Sequence, residues 1–415
     1  MKANPFFKNL PMDQPNRRGR IFLSPPHMSG NELIYIGNAF EKNYIAPIGE
    51  NVDLFESSIA NFVGIPNVLA TNTGTAAIHL ALILAGVGPG DVVICQSFTF
   101  AASANPIKYL GATPVFVDSE EETWNMDPDS LREAIETTLA GELGNHSELD
   151  EVKKLKPQLP KAIIVVHLYG MPAKMDELCQ LGKKYGIPVI EDSAEAIGSS
   201  INGKQCGTFG EYGIYSFNGN KIITTSGGGA LVSNNKKAIE QARNLSAQAR
   251  DSYIYYQHSK VGYNYKMSNI SAGIGVAQME VLDSRVESRR ENFSAYKEFL
   301  KDESCIQFLE EPVAYKSNRW LTTILIDKDR GFTPEQIALE LESEAIETRP
   351  LWKPMHLQPL YCHYPYFGTN LSAALFTAGL CLPSGSALTR ETIFMICEKL
   401  KELIHRPKSS SLIKM

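Results

Sequence analysis

The sequence predicts an α/β fold in which a large domain with a mostly parallel sheet precedes a smaller C-terminal α+β domain. Short apolar segments without period-two alternation (VVICQSF, TPVFVD, AIIVVHL, PVIED) recur between helical stretches. Strands buried on both faces under covering helices read this way. After Gly262 the texture changes to long helix with dense Glu/Arg pairing, so a second unit begins near residue 282. A chain of 415 residues has room for two or three such units. The expected division is an extension over 1–20, a large domain over 21–281 and a small domain over 282–415.

Residues 32–62 carry a mixed helical pattern broken at Pro47 and Gly49. Next, NVLATNTGTAAIHLALILAG puts a short strand before a Thr/Asn/Gly turn and an alanine- and leucine-rich helix ending at Gly86. Alternation continues with VVICQSF, a helix over 99–110, TPVFVD, a helix over 128–140, AIIVVHL, a helix over 175–185 and PVIED. The polar run AGELGNHSELDEVKKLKPQLPK is expected to be solvated loop or exposed helix end. One long helix is predicted over 271–300, then a strand at WLTTILID and helices over 334–344 and 389–404.

Hydrophobic residues make up 43% and charged residues 21%, the balance of a globular chain and not a disordered one. Lys+Arg number 40 against 46 Asp+Glu, a net charge of -6. That lacks the basic excess that drives polyanion binding, so neither nucleic acid nor an anionic membrane is expected as a main partner. The seven cysteines are odd in number, widely spaced and form no Cys-x-x-Cys pair, which points to a reducing compartment. The first twenty residues hold no apolar stretch of signal-peptide length, so a cytoplasmic protein with a loosely ordered leader is expected. His27, His79, His167 and His356 lack metal-ligand spacing, so no metal is expected, and His79 reads as a packed histidine inside an apolar helix.

The most informative segment is Tyr215-Ser216-Phe217-Asn218-Gly219-Asn220-Lys221, followed by a Thr- and Gly-rich stretch. A lysine in small, neutral surroundings is poorly placed as a solubilising group, although a surface lysine beside a glycine hairpin is the plain alternative. A partly desolvated amine attacks carbonyls, the requirement for Schiff-base formation with a cofactor aldehyde. Twenty-nine residues earlier, the strand in PVIED ends at Asp192. A carboxylate there faces the crevice where open α/β sheets bind ligands, and it can pair with a protonated pyridine nitrogen; a helix cap is the alternative. Asn72-Thr73-Gly74-Thr75 sits at a strand-to-helix turn, where free N–H groups, a glycine and a hydroxyl make a phosphate cradle or a plain capping turn. Together the three are the parts a pyridoxal 5'-phosphate (PLP) enzyme needs.

On these motifs the sequence resembles the DegT/DnrJ/StrS family of nucleotide-sugar aminotransferases over about residues 21–403. The resemblance implies aminotransferase fold type I, with Lys221 as the lysine that joins PLP and Asp192 as the partner of its ring nitrogen. It further implies phosphate binding by Gly74, Thr75 and Ser216, and ring stacking by Phe98. Asn264, in Gly262-Tyr263-Asn264-Tyr265-Lys266, would reach the phosphate in the neighbouring subunit of a homodimer with shared sites; the family usually has Arg where Lys266 stands. Glu195 falls near the cofactor's ring hydroxyl, where many relatives have Gln or His.

Within the family, the segments Phe22-Leu23-Ser24-Pro25-Pro26-His27-Met28, Ser317-Asn318-Arg319-Trp320 and Glu347-Thr348-Arg349-Pro350-Leu351-Trp352-Lys353 resemble the aminotransferases of bacillosamine synthesis. That likeness implies ping-pong transfer of an amino group from L-glutamate to C4 of UDP-2-acetamido-2,6-dideoxy-4-keto-glucose. Asn318, Arg319, Arg349 and Trp352 are candidates for the sugar nucleotide, since Arg offers bidentate bonds to a diphosphate and Trp a stacking face; an ordinary surface cation–π pair is the alternative. Other readings are a different keto sugar (a 3-keto uronic acid, another 4-keto configuration or a dTDP-linked sugar) and a non-catalytic regulator of the same fold. A PLP-dependent sugar dehydratase would carry His in place of Lys221.

Overall fold

The structure, a computed structural model, describes residues 19–327 and 333–406. The expected leader therefore lies almost wholly outside the described residues. The first helical pattern forms α1 (Glu32–Glu41) and α2 (Glu50–Val63), parted around Pro47 and Gly49. The expected alternation then follows: β1 (Asn67–Thr71), α3 (Gly74–Leu84), β2 (Val92–Gln96), α4 (Ala101–Tyr109), β3 (Thr113–Val117) and α5 (Pro128–Ala140). Side chains set the helix starts. Thr73 accepts from the Ala76 N–H, and Asp127 from the Ser130 N–H ahead of Pro128 at the first helical position. The polar segment is largely exposed, pinned by buried Leu143 and by Val152 in the short α6 (Asp150–Lys153). It leads to β4 (Ala162–Val166), α7 (Met175–Tyr185) and β5 (Val189–Asp192).

A small hairpin of β6 (Ser200–Ile201) and β7 (Lys204–Gln205) precedes two strands that the sequence pattern does not reveal, β8 (Tyr212–Ser216) and β9 (Gly229–Ser233). After α8 (Lys236–Ser246), the expected single helix over 271–300 is two: α9 (Asn269–Met279) and α10 (Leu282–Phe299). The break has a packing cause. α9 lies on α1 and α2, and the Glu280 carboxylate at its end accepts from Asn31 and Tyr35, whereas α10 turns away to pack on the C-terminal helix. The remainder comprises β10 (Ile306–Phe308), β11 (Tyr315–Lys316), β12 (Thr322–Ile326), α11 (Pro334–Ser343), β13 (Arg349–Pro350), β14 (Tyr366–Phe367), α12 (Leu371–Ala378), β15 (Gly379–Leu382) and α13 (Arg390–Ile404).

The main sheet has the order β1-β9-β8-β5-β4-β2-β3-β14, with β9 antiparallel to both neighbours and the pairs from β8 to β14 parallel. Every residue of β2, β3 and β4 is buried. One face packs on α3, α4 and α8 through Val93, Cys95 and Ile164; the other packs on α5 and α7 through Val92, Ile94 and Ile163. Alternation sorts two adjacent carboxylates at the end of β5. Glu191 is fully buried and accepts from the Gly207, Phe209 and Gly210 N–H groups and from His167 Nε2. Asp192 points the other way, into a cavity.

A second, antiparallel sheet has the order β10-β12-β15-β13. We propose Leu282 as the junction between a large and a small unit, with two exchanges across it. Residue 21 bonds the backbone of Ala345 and Glu347 beside the small sheet, and β14 adds to the edge of the large one. All seven cysteines are unpaired. Among the described residues no helix is long and apolar enough to cross a membrane.

Candidate active site

Lys221 lies in the irregular segment between β8 and β9, where no ladder holds the backbone; its N–H bonds the Asn218 carbonyl at 3.1 Å. Nζ is 3.2 Å from Glu195 Oε1 and 4.2 Å from the Trp320 ring centroid. The other Glu195 oxygen accepts from the Tyr169 N–H at 2.7 Å. Tyr169 is itself buried in a left-handed conformation, φ 54°, a costly geometry held by its surroundings. Burial pushes the Glu195 carboxyl up to about 7, against the opposing pull of the Lys221 charge and the Tyr169 N–H.

Asp192 Oδ2 accepts from Ser103 Oγ at 2.6 Å, and Oδ1 from the Ala194 N–H at 3.2 Å. Thr99 and Ser103 share a 2.7 Å hydroxyl pair behind it. The third component is the first turn of α3. The N–H groups of Gly74 and Thr75 have no intrahelical acceptor there, and Ser216 at the end of β8 stands beside them. Close approach of backbones builds this corner: a Cβ on Gly229 would lie 2.5 Å from the Gly74 nitrogen.

A cavity of about 910 Å³ joins these parts, lined among others by Thr75, Asp192, Glu195, Ser216, Lys221 and Trp352. It supplies an anion cradle at one end, a carboxylate at the strand edge and an amine between aromatic walls. A phosphorylated pyridine aldehyde demands those three groups, so the residues present fit PLP.

Other expected site residues divide. Arg349 and Trp352 line the cavity. Phe98 does not: it is fully buried with its ring against Tyr169, because the turn from Thr99 N–H to the Ser97 carbonyl breaks strand alternation. Phe100 takes the wall position, tilted onto Trp352 with centroids 5.5 Å apart. Asn318 also lies outside the cavity. Fully buried, it donates to the Glu195 and Ile197 carbonyls and accepts from the Trp320 N–H, so it holds the loop that carries Glu195. Arg319 adopts φ 52°, which turns its side chain away to bond the Leu309 carbonyl and lie 3.7 Å from the Phe293 ring centroid. Asn264 is exposed and outside the cavity of its own chain.

Trp320, Phe100, Ser24 and Lys353 complete the walls, positions to which the sequence pattern gives no role. Trp320 reaches the lysine because the left-handed backbone of Arg319 faces it that way, which residue types do not show. His79 is buried, its Nδ1 against the Tyr265 hydroxyl, as a packed histidine should be. No cluster of metal-ligating side chains occurs among the described residues.

The model of the DegT/DnrJ/EryC1/StrS aminotransferase family matches residues 26–401. EpsN of Bacillus subtilis, which carries the name of a pyridoxal phosphate-dependent aminotransferase, is 52% identical over 390 residues, 93% of this chain and 96% of its own. The GDP-perosamine synthase of Caulobacter vibrioides is 34% identical over 388 residues, 93% of this chain and 98% of its own. Among solved structures, the PLP form of Spr1654 from Streptococcus pneumoniae, named for sugar aminotransfer, superposes with a TM-score of 0.81 at 25% identity. That match covers 93% of this chain and 98% of the other. With the cavity described above, these likenesses lead to one conclusion: the chain belongs to the DegT/DnrJ/EryC1/StrS family and is a PLP-dependent sugar aminotransferase.

Proposed function

We propose that Lys221 carries PLP covalently, that Asp192 faces its ring nitrogen, and that Gly74, Thr75 and Ser216 bind its phosphate. The supporting observation is the single cavity in which the Lys221 amine, the Asp192 carboxylate and the first turn of α3 converge. When bound, PLP supplies an electron sink that lets an amino group leave one carbon and join another. Lys221 Nζ, once free, takes a proton from the substrate carbon and returns it, a role that needs an amine held beside the reacting atoms. Glu195, 3.2 Å away, is placed to share that proton. Asp192 keeps the ring nitrogen protonated, and Phe100, Trp320 and Trp352 exclude water from one side.

The acceptor in this reading is UDP-2-acetamido-2,6-dideoxy-4-keto-glucose and the donor L-glutamate. Support comes from the bacillosamine-type segments, of which Ser24, Trp320, Glu347, Arg349 and Trp352 line the cavity. Arg349 and Lys353, exposed at its rim, offer cations for a diphosphate. A GDP-linked keto sugar is the second reading, favoured by the relative named GDP-perosamine synthase. The test is mass spectrometry of products after incubating enzyme, PLP and glutamate with UDP-, GDP- and dTDP-linked 4-keto and 3-keto sugars. Faster turnover of a GDP-linked or 3-keto sugar overturns the acceptor and leaves the aminotransferase standing.

The same reading includes a cytoplasmic homodimer with shared sites. Apolar side chains stand exposed on α1 and α2 (Ile34, Phe40, Leu54) and over 253–261, where Ile254 is 98% and Val261 80% exposed. Surface of this kind calls for a protein partner, and a two-fold copy is the commonest one.

A further inference from the structure

The peptide that precedes Lys221 is gripped from outside its own loop. The Asn220 carbonyl accepts from Ser24 Oγ at 2.6 Å and from Trp320 Nε1 at 2.7 Å. Behind both donors lies Arg289 of α10, which donates to the Trp320 carbonyl at 2.5 Å and to Ser24 Oγ at 3.0 Å. The hydroxyl spends its one proton on Asn220, so its lone pairs are open to the guanidinium.

Arg289 is 1% exposed, and among the described residues it forms no ion pair with a carboxylate; its Nε has no hydrogen-bond partner. Burial, with the like charge of Arg285, pushes its pKa down to about 9. An unpaired cation in the interior opposes folding, and an apolar side chain of similar length would fill the space more favourably. Its contacts are therefore better explained by what they orient than by stability.

We propose that Arg289 is a positioning residue for Lys221: it aims the Ser24 hydroxyl and the Trp320 indole at the Asn220 carbonyl, fixing the lysine backbone and keeping the Trp320 ring beside Nζ. The inference rests on the reading of Lys221 as the cofactor-bearing amine. Misplacement of a reacting group by a fraction of an ångström to an ångström slows reaction far more than it weakens binding.

The test uses native protein, Arg289→Met, Ser24→Ala and the double variant, each stripped of cofactor and mixed with PLP. Covalent attachment is followed by its absorbance band, alongside thermal melting, kcat and KM. Attachment slowed about tenfold in each single variant is expected, with KM for both substrates held within about twofold. Arg289→Met should melt no lower than native. The double variant should be no slower than the worse single one, since both break one path. Attachment less than about threefold slower in either single variant overturns the proposal, as does multiplication of the two effects in the double variant. If Arg289→Met fails to fold, Arg289→Lys, which keeps a cation without the fork that holds both the Trp320 carbonyl and Ser24 Oγ, is read by the same threefold line. Borohydride fixation of the cofactor to a lysine other than Lys221 in native protein would instead remove the reading beneath the proposal.

Discussion

Lys221 Nζ lies 3.2 Å from Glu195 Oε1 in a pocket where Glu195 is 4% exposed. Because burial raises this carboxyl from 4.5 to about 7, the folded chain binds its proton more tightly than the unfolded chain across that interval. The unfolded state holds fewer protons there, so this group makes the cofactor-free protein less stable as pH rises from about 4.5 to 7. Glu195→Gln removes the ionisation. Urea unfolding at pH 4.5 and 7.5 should show the variant gaining on native protein by up to about 3 kcal/mol across the window. A difference that does not change with pH would mean Glu195 ionises as an ordinary carboxylate.

The phosphate corner depends on a missing side chain. A Cβ at Gly229 would press on the Gly74 nitrogen at 2.5 Å, whereas one at Gly219 meets nothing within 4 Å. Gly229→Ala is expected to weaken PLP binding about tenfold or more, and Gly219→Ala to leave it within about twofold. Equilibrium dialysis against PLP measures both. Equal affinities would place the phosphate elsewhere.

Asp192→Asn should fold as the native protein does, because the Ser103 hydroxyl still finds an oxygen to donate to. A neutral amide cannot hold the ring nitrogen protonated, so turnover should fall about a hundredfold or more. Native turnover at an unchanged melting temperature would remove Asp192 from the chemistry.

Arg349 is more than half exposed and, among the described residues, its ion pair is with Glu347 at 2.8 Å, so its loss costs little stability. Arg349→Ala is expected to lower kcat/KM for the nucleotide sugar about tenfold while the glutamate half-reaction stays near native. Arg319→Ala should show the reverse pattern, a lower melting temperature and an unchanged preference among sugars, because Arg319 is buried against Phe293. Stopped-flow half-reactions separate the two. An Arg349→Ala enzyme slowed equally with glutamate would contradict its assignment to the sugar nucleotide.

What could be read from sequence follows from how local the signal is. The buried strands and the place of Asp192 at a strand end are legible because apolar runs and strand ends are set within a few residues. So are the helix starts at Thr73 and Asp127. The family likeness puts Phe98 on the cofactor ring, whereas the Ser97–Thr99 turn that buries Phe98 and leaves Phe100 on the cavity wall is a backbone event that residue types do not show. Asn318 and Arg319 looked like ligands for the same reason: the left-handed φ of Arg319 that faces Trp320 to the lysine and Arg319 away from it leaves no mark in composition. The break at Glu280 depends on α1, about 250 residues distant in sequence, which no local pattern shows.

Borohydride reduction of the PLP-loaded enzyme followed by peptide mapping tests the covalent role of Lys221 most directly. The fixed cofactor is expected on the peptide containing Lys221, with none on its counterpart from Lys221→Ala, which should still bind PLP without covalent attachment and lack turnover. Recovery of the label on any other lysine of the native enzyme would contradict the assignment.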